Sequence, residues 1–266
     1  MLQAIPGHSI KNLWGRLSLE SKRLALSQIA SVVVQLASLK FNGIGCLNEE
    51  GVGALISPSL GRHAGLFEST SEYLASFVSP DSVESPQLRD AYRQVQVKMD
   101  HFLDNQGDTS YLQPPFCMVY SNFSDHNTLF TTNNGTQPML SGLTGLGYAY
   151  TGPLYFLYGY PSFIRQGFSA SFRDYFVREI HDQLPDAQSR ATFISCMNAK
   201  SFALNGFRDS FMAVKRSEDE SEELITALTY LHTFQNGYGL VYPPMDNSLL
   251  KKYASNGDPL PFDPTA

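Results

Sequence analysis

The sequence predicts an α+β fold that is mostly helical. Several segments carry apolar residues at three- and four-residue spacing, which is typical of amphipathic helices, and three short β-prone runs lie close together between residues 116 and 143. Of the 266 residues, 42% are hydrophobic, which is enough to form a buried core. We expect one domain over residues 1–242, followed by an extended or disordered tail over residues 243–266 that is rich in Asn, Gly, Asp and Pro.

The first half of the chain is predicted to be chiefly helical. Helices are expected over residues 9–17, 19–39, 71–77 and 86–103. Ser18 is a favourable N-cap for the second of these helices, and Gly43 lies just past its end.

The second half of the chain begins with the β-prone runs, which cover residues 116–119, 128–131 and 139–143. The tight-turn signal Asn133-Asn134-Gly135 joins the second run to the third. Residues 154–163 are rich in Tyr, Phe, Gly and Pro without a regular period, and they predict a loop with an aromatic surface. Three further helices are expected over residues 171–184, 190–207 and 217–232.

The polar loop over residues 120–127 is the candidate functional site, because it is a dense group of polar residues between two strand-like segments. Its Ser, Asp and His residues do not predict a hydrolase triad, since neighbours on one loop rarely align and the chain has no Gly-x-Ser-x-Gly elbow. The glycines of residues 142–147 follow the order Gly-x-x-Gly-x-Gly, which is not the order of a dinucleotide-binding turn.

Residues 116–153 resemble the catalytic segment of the aminoglycoside phosphotransferase and choline kinase family, a branch of the protein-kinase-like fold with many fungal members. That family's loop reads His-Gly-Asp-x-x-x-x-Asn, and a strand, a turn and Ile-Ile-Asp-Trp-Glu follow it. Asn127 matches the end of the loop, and Ala149-Tyr150-Thr151-Gly152-Pro153 matches a run that often follows the second motif. Residues 41–47, followed by the Glu49-Glu50-Gly51 turn and residues 53–56, also resemble the family's Phe-x-x-Ile-Gly-Ser-Leu hairpin.

Alignment on these anchors implies which functional residues have been replaced. Tyr120 stands where the family has its loop His, Asn122 where it has the catalytic Asp, and Gly145 where it has the metal-binding Asp. Of the catalytic Asp and the two metal ligands, Asn127 alone remains, as a vestigial metal ligand. A general base contributes roughly 10²–10⁴ in rate, and a neutral amide cannot take the proton. The resemblance therefore implies a degenerate loop, inactive in phosphoryl transfer.

Two neighbouring side chains offer a substitute for the lost base. Asp125 and His126 lie three and four residues after the position of the catalytic Asp. Asp125 has charge and reach, but it acts as a base only if the loop is rearranged.

The start of the chain, residues 1–7, resembles the family's hinge between the small nucleotide-binding lobe and the large lobe. Ile5 and Gly7 are the hinge-like residues that would contact a nucleotide. The resemblance thus implies a large C-terminal lobe that lacks the N-terminal nucleotide lobe, with its Gly-rich loop and phosphate-binding Lys.

The replacements predict a protein that binds a small molecule or a protein partner. Two alternatives stay open: an enzyme of fungal secondary metabolism that uses the same cleft without ATP, and a fragment of an active, ATP-dependent small-molecule kinase. No cofactor is expected, and ATP and Mg²⁺ would be cofactors only if the ancestral activity survives. Self-association through the surface that a nucleotide lobe would cover is also expected.

Composition excludes several other classes of protein. The net charge of −6 comes without a basic run, which argues against nucleic-acid binding. No stretch approaches the roughly 20 apolar residues of a membrane span, and no signal peptide is recognisable, so we expect a cytoplasmic protein without membrane association. The three cysteines are far apart and lack the spacing of a zinc site.

Overall fold

The structure is a computed structural model that describes residues 5–57, 62–104, 109–120, 123–133, 137–164, 170–217 and 220–236. Its helices are α1 (Ile10–Trp14), α2 (Leu19–Ser38), α3 (Thr70–Ala75), α4 (Pro86–Asp104), α5 (Leu154–Leu157), α6 (Ala170–Gln183), α7 (Ala187–Cys196), α8 (Ala199–Ser217) and α9 (Glu220–Asn236). Its strands are β1 (His8–Ser9), β2 (Cys46–Asn48), β3 (Gly51–Gly53), β4 (Leu55–Ser57), β5 (Arg62–Ala64), β6 (Cys117–Tyr120), β7 (Thr128–Asn133), β8 (Gln137–Leu143) and β9 (Ala149–Gly152). The predicted α+β, mostly helical class is confirmed.

Helix α2 is the central helix of the first half of the chain. The Ser18 hydroxyl accepts a hydrogen bond from the backbone N–H of Ser21 at 3.1 Å, which satisfies a donor that the first turn would otherwise leave unpaired. Its buried face includes Leu26, Ile29 and Val33, in keeping with helical spacing, and the helix packs against α6. The cap and the apolar stripe account for the agreement between the predicted and observed bounds.

In the described part of the chain, the strands form four small antiparallel β units. Strands β1, β7 and β8 form one sheet in the order β1-β7-β8, while β6 pairs with β9, β2 with β3, and β4 with β5. Thr128 pairs with Leu143 at one end of β7 and β8. The residues directly beyond that pair, Asn127 and Thr144, are therefore neighbours.

The outer edge of β8 is covered by a side chain from α2. The Gln28 amide donates to the carbonyl of Pro138 at 3.0 Å and accepts from the backbone N–H of Leu140 at 2.7 Å. These two bonds reproduce those that a neighbouring strand would make, so this part of the edge is paired without a further strand.

Thr151 joins the two segments that carry the family resemblance. Its buried hydroxyl donates to the carbonyl of Gly43 at 2.6 Å and accepts from the backbone N–H of Gly45 at 3.0 Å. The backbone N–H of Thr151 donates to the carbonyl of Gly45 at 2.7 Å. Strand β9 is thereby fixed to the segment that leads into the β2–β3 hairpin.

A buried arginine on α8 lies beneath β9. Arg208 donates to the Asp209 carboxylate at 2.7 Å through Nη2, and its Nη1 lies 3.3 Å from the Tyr150 hydroxyl. Its guanidinium carbon is 4.2 Å from the centroid of the Phe156 ring, within the range of a cation–π contact. Burial acts to lower the pKa of Arg208, but Asp209, Tyr150 and Tyr73 act to raise it and outweigh burial. The pKa is therefore above its ordinary value, and the guanidinium keeps its charge.

Three expectations about secondary structure are wrong. The hairpin expected over residues 41–47 and 53–56 is formed by β2 and β3, and Leu55–Ser57 pairs with β5 instead. Residues 154–163 were expected to form a loop with an aromatic surface, but they contain α5, and their aromatic side chains at Tyr155, Phe156 and Tyr158 are buried. The helix expected over residues 190–207 is two helices, α7 and α8, because Asn198 interrupts it and its amide oxygen accepts from the backbone N–H of Ser201 at 2.8 Å.

No helix in the described part of the chain is long and apolar enough to cross a membrane. The tail predicted over residues 243–266 lies outside the described residues.

Candidate functional site

The candidate loop links the end of β6 to the start of β7. Tyr120 is the last residue of β6 and Thr128 the first of β7. Residues 123–127 of the loop are described, whereas Asn122, the predicted counterpart of the catalytic Asp, lies outside the described residues.

Local hydrogen bonds determine the shape of this loop. The backbone N–H of Asn127 donates to the Ser124 carbonyl at 3.2 Å, and the Thr128 hydroxyl donates to the same carbonyl at 2.9 Å. The sequence Ser-x-x-Asn-Thr thus folds into a turn that its own side chains stabilise. From outside, the backbone N–H of Lys11 donates to the Asp125 carbonyl at 3.1 Å, and that of Ser162 donates to the Phe123 carbonyl at 3.0 Å.

Asn127 is held against Thr144 by both its backbone and its side chain. The backbone N–H of Thr144 donates to the Asn127 carbonyl at 2.9 Å, and the Thr144 hydroxyl lies 3.2 Å from the Asn127 side-chain oxygen and donates to it. The next residue, Gly145, has φ of 76° and ψ of 26°, a left-handed conformation that Gly adopts without strain. The oxygen that the resemblance assigns to metal binding is therefore already engaged by a neutral hydroxyl.

Tyr120 reaches the same point from β6. Its hydroxyl donates to the Thr144 carbonyl, and its ring packs edge-to-face against Phe123 with centroids 4.8 Å apart. Burial raises the pKa of Tyr120 to about 12, so the phenol stays protonated and remains a donor at neutral pH. The structure thus brings together three of the predicted positions, Tyr120, Asn127 and Gly145, through one residue that the sequence did not single out, Thr144.

Asp125 and His126 contact α1 rather than the Asn127 side chain. The Lys11 ammonium lies 3.1 Å from Nε2 of His126, and the Asp125 carboxylate lies 3.7 Å from the same atom. Because an ammonium group can only donate, Nε2 of His126 is the acceptor in this contact, and that nitrogen is not available to take a proton from a substrate. Lys11 is a second residue of the site that sequence reasoning missed, since it lies more than a hundred positions away.

Ile5 and Gly7, the predicted hinge residues, run along the β1–β7–β8 sheet. Gly7 has φ of +119°, and a Cβ placed on it would lie 2.6 Å from the Phe130 carbonyl oxygen, so only Gly fits this close approach. The Ile5 side chain lies over Gly142, where an added Cβ would come within 2.9 Å of it, and 41% of Ile5 is exposed. Their role in nucleotide binding stays a prediction.

The described side chains at this site do not fit a magnesium ion. Magnesium prefers hard, anionic oxygen ligands in near-octahedral geometry. Asn127 and Thr144 supply neutral oxygens, and Gly145 supplies no side chain. Across the described ranges, no group of three or more His, Cys, Asp or Glu residues is placed to hold a metal ion.

Comparison with solved structures finds two aminoglycoside phosphotransferases. The chain is similar to ADP-bound APH(2'')-Ib, with a TM-score of 0.45, 11% sequence identity, and coverage of 87% of this chain and 70% of that one. It is also similar to APH(2'')-IIa in a ternary complex with streptomycin and ATP, with a TM-score of 0.43, 12% identity, and coverage of 87% and 68%. No protein-family model matches the sequence, and no curated protein matches it.

Proposed function

We propose that this protein is a degenerate aminoglycoside-phosphotransferase-like protein that does not transfer phosphoryl groups and instead binds a small molecule or a protein partner at the loop between β6 and β7. One observation carries the proposal. At the ends of β7 and β8, where the family's motifs place an amide and a carboxylate on magnesium, Asn127 is hydrogen-bonded to Thr144 and Gly145 has no side chain.

The remaining polar groups suit recognition better than phosphoryl transfer. Thr144 accepts from Tyr120 and donates to Asn127, so the site is organised without a metal ion. Lys11 and His126 add an exposed polar pair at its border, next to Asp125. The described hydroxyl, amide and imidazole groups offer donors and acceptors to a ligand, and none of these three kinds of group is an anionic ligand for a metal ion.

Magnesium binding tests the proposal directly. We expect the wild-type chain to show no magnesium-dependent ATP hydrolysis or phosphate transfer to aminoglycosides or choline. The double variant Asn122→Asp with Gly145→Asp is expected to gain roughly tenfold or more in magnesium affinity by calorimetry, because two carboxylates then join the Asn127 amide. Asp tolerates the left-handed conformation at position 145 better than most residues other than Gly.

The control replaces Gly145 by Asn in the Asn122→Asp background, which keeps the size and the backbone preference of Asp but removes one charge. A folded double variant that binds magnesium no better than this control would show that Gly145 does not occupy the metal-binding position. Magnesium-dependent turnover by the wild-type protein that disappears in Asn127→Ala would overturn the proposed loss of activity.

We also propose an association surface on the β1–β7–β8 sheet, where Ile5 is 41% exposed and Met139 is 48% exposed. Exposed apolar side chains on one face favour association. We expect a self-associated fraction in light scattering at micromolar concentration, and Met139→Ser is expected to lower it. Val97→Ser is the control, because Val97 is 67% exposed but lies on α4, away from this sheet. A monomer at every concentration, with no partner captured, would contradict this surface.

A further inference from the structure

A cleft of about 700 Å³ lies where the start of α2, the start of β8 and helix α6 meet. Gln137, the first residue of β8, lies in its wall, whereas Thr144 of the candidate site follows the last residue of that strand. Because a strand advances about 3.3 Å per residue, the two places are about 20 Å apart. The cleft is therefore separate from the loop between β6 and β7.

Side chains of α2 and α6 hold the walls of the cleft together. Gln28 joins α2 to β8 through Pro138, as described above, and the Gln183 amide joins α6 to α2 by donating to the Ser27 carbonyl at 3.2 Å. The Arg23 guanidinium lies 5.7 Å from the centroid of the Tyr175 ring, which orients this arginine on the cleft wall. The cleft is thus formed before any ligand arrives, which lowers the entropy cost of binding.

The lining has many hydrogen-bonding groups and no net charge. Glu20 and Arg23 contribute one negative and one positive charge, and Gln137 contributes an amide. The hydroxyls of Ser18 and Ser21 lie 3.0 Å apart, and each hydroxyl combines one donor with two acceptor positions. Glu20 would repel an anion in the cleft, and Arg23 would repel a polyamine. The two side chains together therefore disfavour ions of either sign.

We propose that this cleft binds a neutral, polyhydroxylated small molecule of the size of a monosaccharide or a disaccharide. The hydroxyls of such a ligand act as donors to Glu20 and as acceptors from Arg23, and these charge-assisted bonds are the strong ones available in the cleft. Its volume lies within the range of about 300–1,000 Å³ that small-molecule sites occupy. The proposal is independent of the function proposed for the loop.

The test is a titration of the isotope-labelled full chain with maltose, followed by amide chemical shifts in NMR spectra. We expect shift changes at the first two turns of α2, at Gln137 and at Tyr175. Glu20→Ala and Gln137→Ala are each expected to weaken maltose binding by roughly tenfold, which corresponds to one charge-assisted or well-oriented hydrogen bond. Gln137 is exposed and lies outside the helices, so its variant keeps the test valid if Glu20→Ala impairs folding.

The matched control is Glu68→Ala, which removes an acidic residue from another cleft of about 680 Å³ and is expected to leave maltose binding unchanged. Citrate and spermidine are titrated in parallel as an anion and a polyamine. No shift change with maltose up to about 100 mM would overturn the proposal. Stronger shifts at the same residues with citrate or spermidine, or a maltose affinity equal to that of the wild type in both cleft variants, would also overturn it.

Discussion

Gly45→Ala is expected to destabilise the protein by at least about 3 kcal/mol. The added methyl group would overlap a backbone atom, which cannot rotate away as a flexible side chain can. A Cβ on Gly45 would lie 1.9 Å from the carbonyl oxygen of Gly53, which belongs to β3. Moving Gly45 away would stretch its hydrogen bonds with Thr151, which is fully buried. Urea denaturation followed by circular dichroism measures the change in the free energy of unfolding.

Gly15→Ala is the matched control for this prediction. Gly15 ends α1 with φ of −65°, and a Cβ added there would meet no atom within 4 Å. The same chemical change is therefore expected to be neutral or slightly stabilising, since it restricts the unfolded chain without straining the folded one. Equal urea midpoints for the two variants would contradict the described packing of Gly45 against β3.

Asp209→Ala is expected to destabilise the protein by roughly 3 kcal/mol, at the lower end of the range for breaking a buried ion pair. Arg208 is only 6% exposed, so loss of the carboxylate leaves a buried cation with the Tyr150 hydroxyl and the Phe156 ring. The lower end of the range is appropriate because the Asp209 side chain is 33% exposed and water screens part of the attraction. Thermal or urea denaturation at neutral pH measures the loss.

A double-mutant cycle separates the cost of the unpaired charge from the loss of packing. Arg208→Met keeps an apolar side chain of similar length and removes the charge, so it is expected to cost less than Asp209→Ala. The combination of the two changes is expected to be more stable than Asp209→Ala alone, because no unpaired cation remains. Additive effects of the two substitutions would show that Asp209 does not compensate the charge of Arg208.

Local signals in the sequence account for the elements that were predicted well. The bounds of α2 and α4 follow from periodic apolar residues and, for α2, from the Ser18 cap. Periodicity does not predict the break between α7 and α8, because Asn198 lies inside the segment expected to be one helix, although Asn is a favoured N-cap. Strand β1 has two residues, and only its pairing with Leu129 and Phe130 in β7 makes it a strand.

The sequence predicts where the candidate site lies, but it does not predict which residues contact one another there. The polar loop and the resemblance directed attention to Tyr120, Asn127 and Gly145, which the structure brings together around Thr144. Thr144 and Lys11 were missed because their roles depend on pairing across a strand end and on a contact between α1 and the loop. Neither kind of contact leaves a periodic or compositional signal in the sequence.

The position of Gln28 at the edge of β8 affects whether strands of two copies of the protein can pair. Its amide occupies the carbonyl of Pro138 and the backbone N–H of Leu140, so a strand of another chain cannot pair with these two groups. The group that covers this edge thus belongs to a helix, α2, and not to a further strand. Growth of the sheet into an intermolecular cross-β stack is opposed at this edge from within the fold.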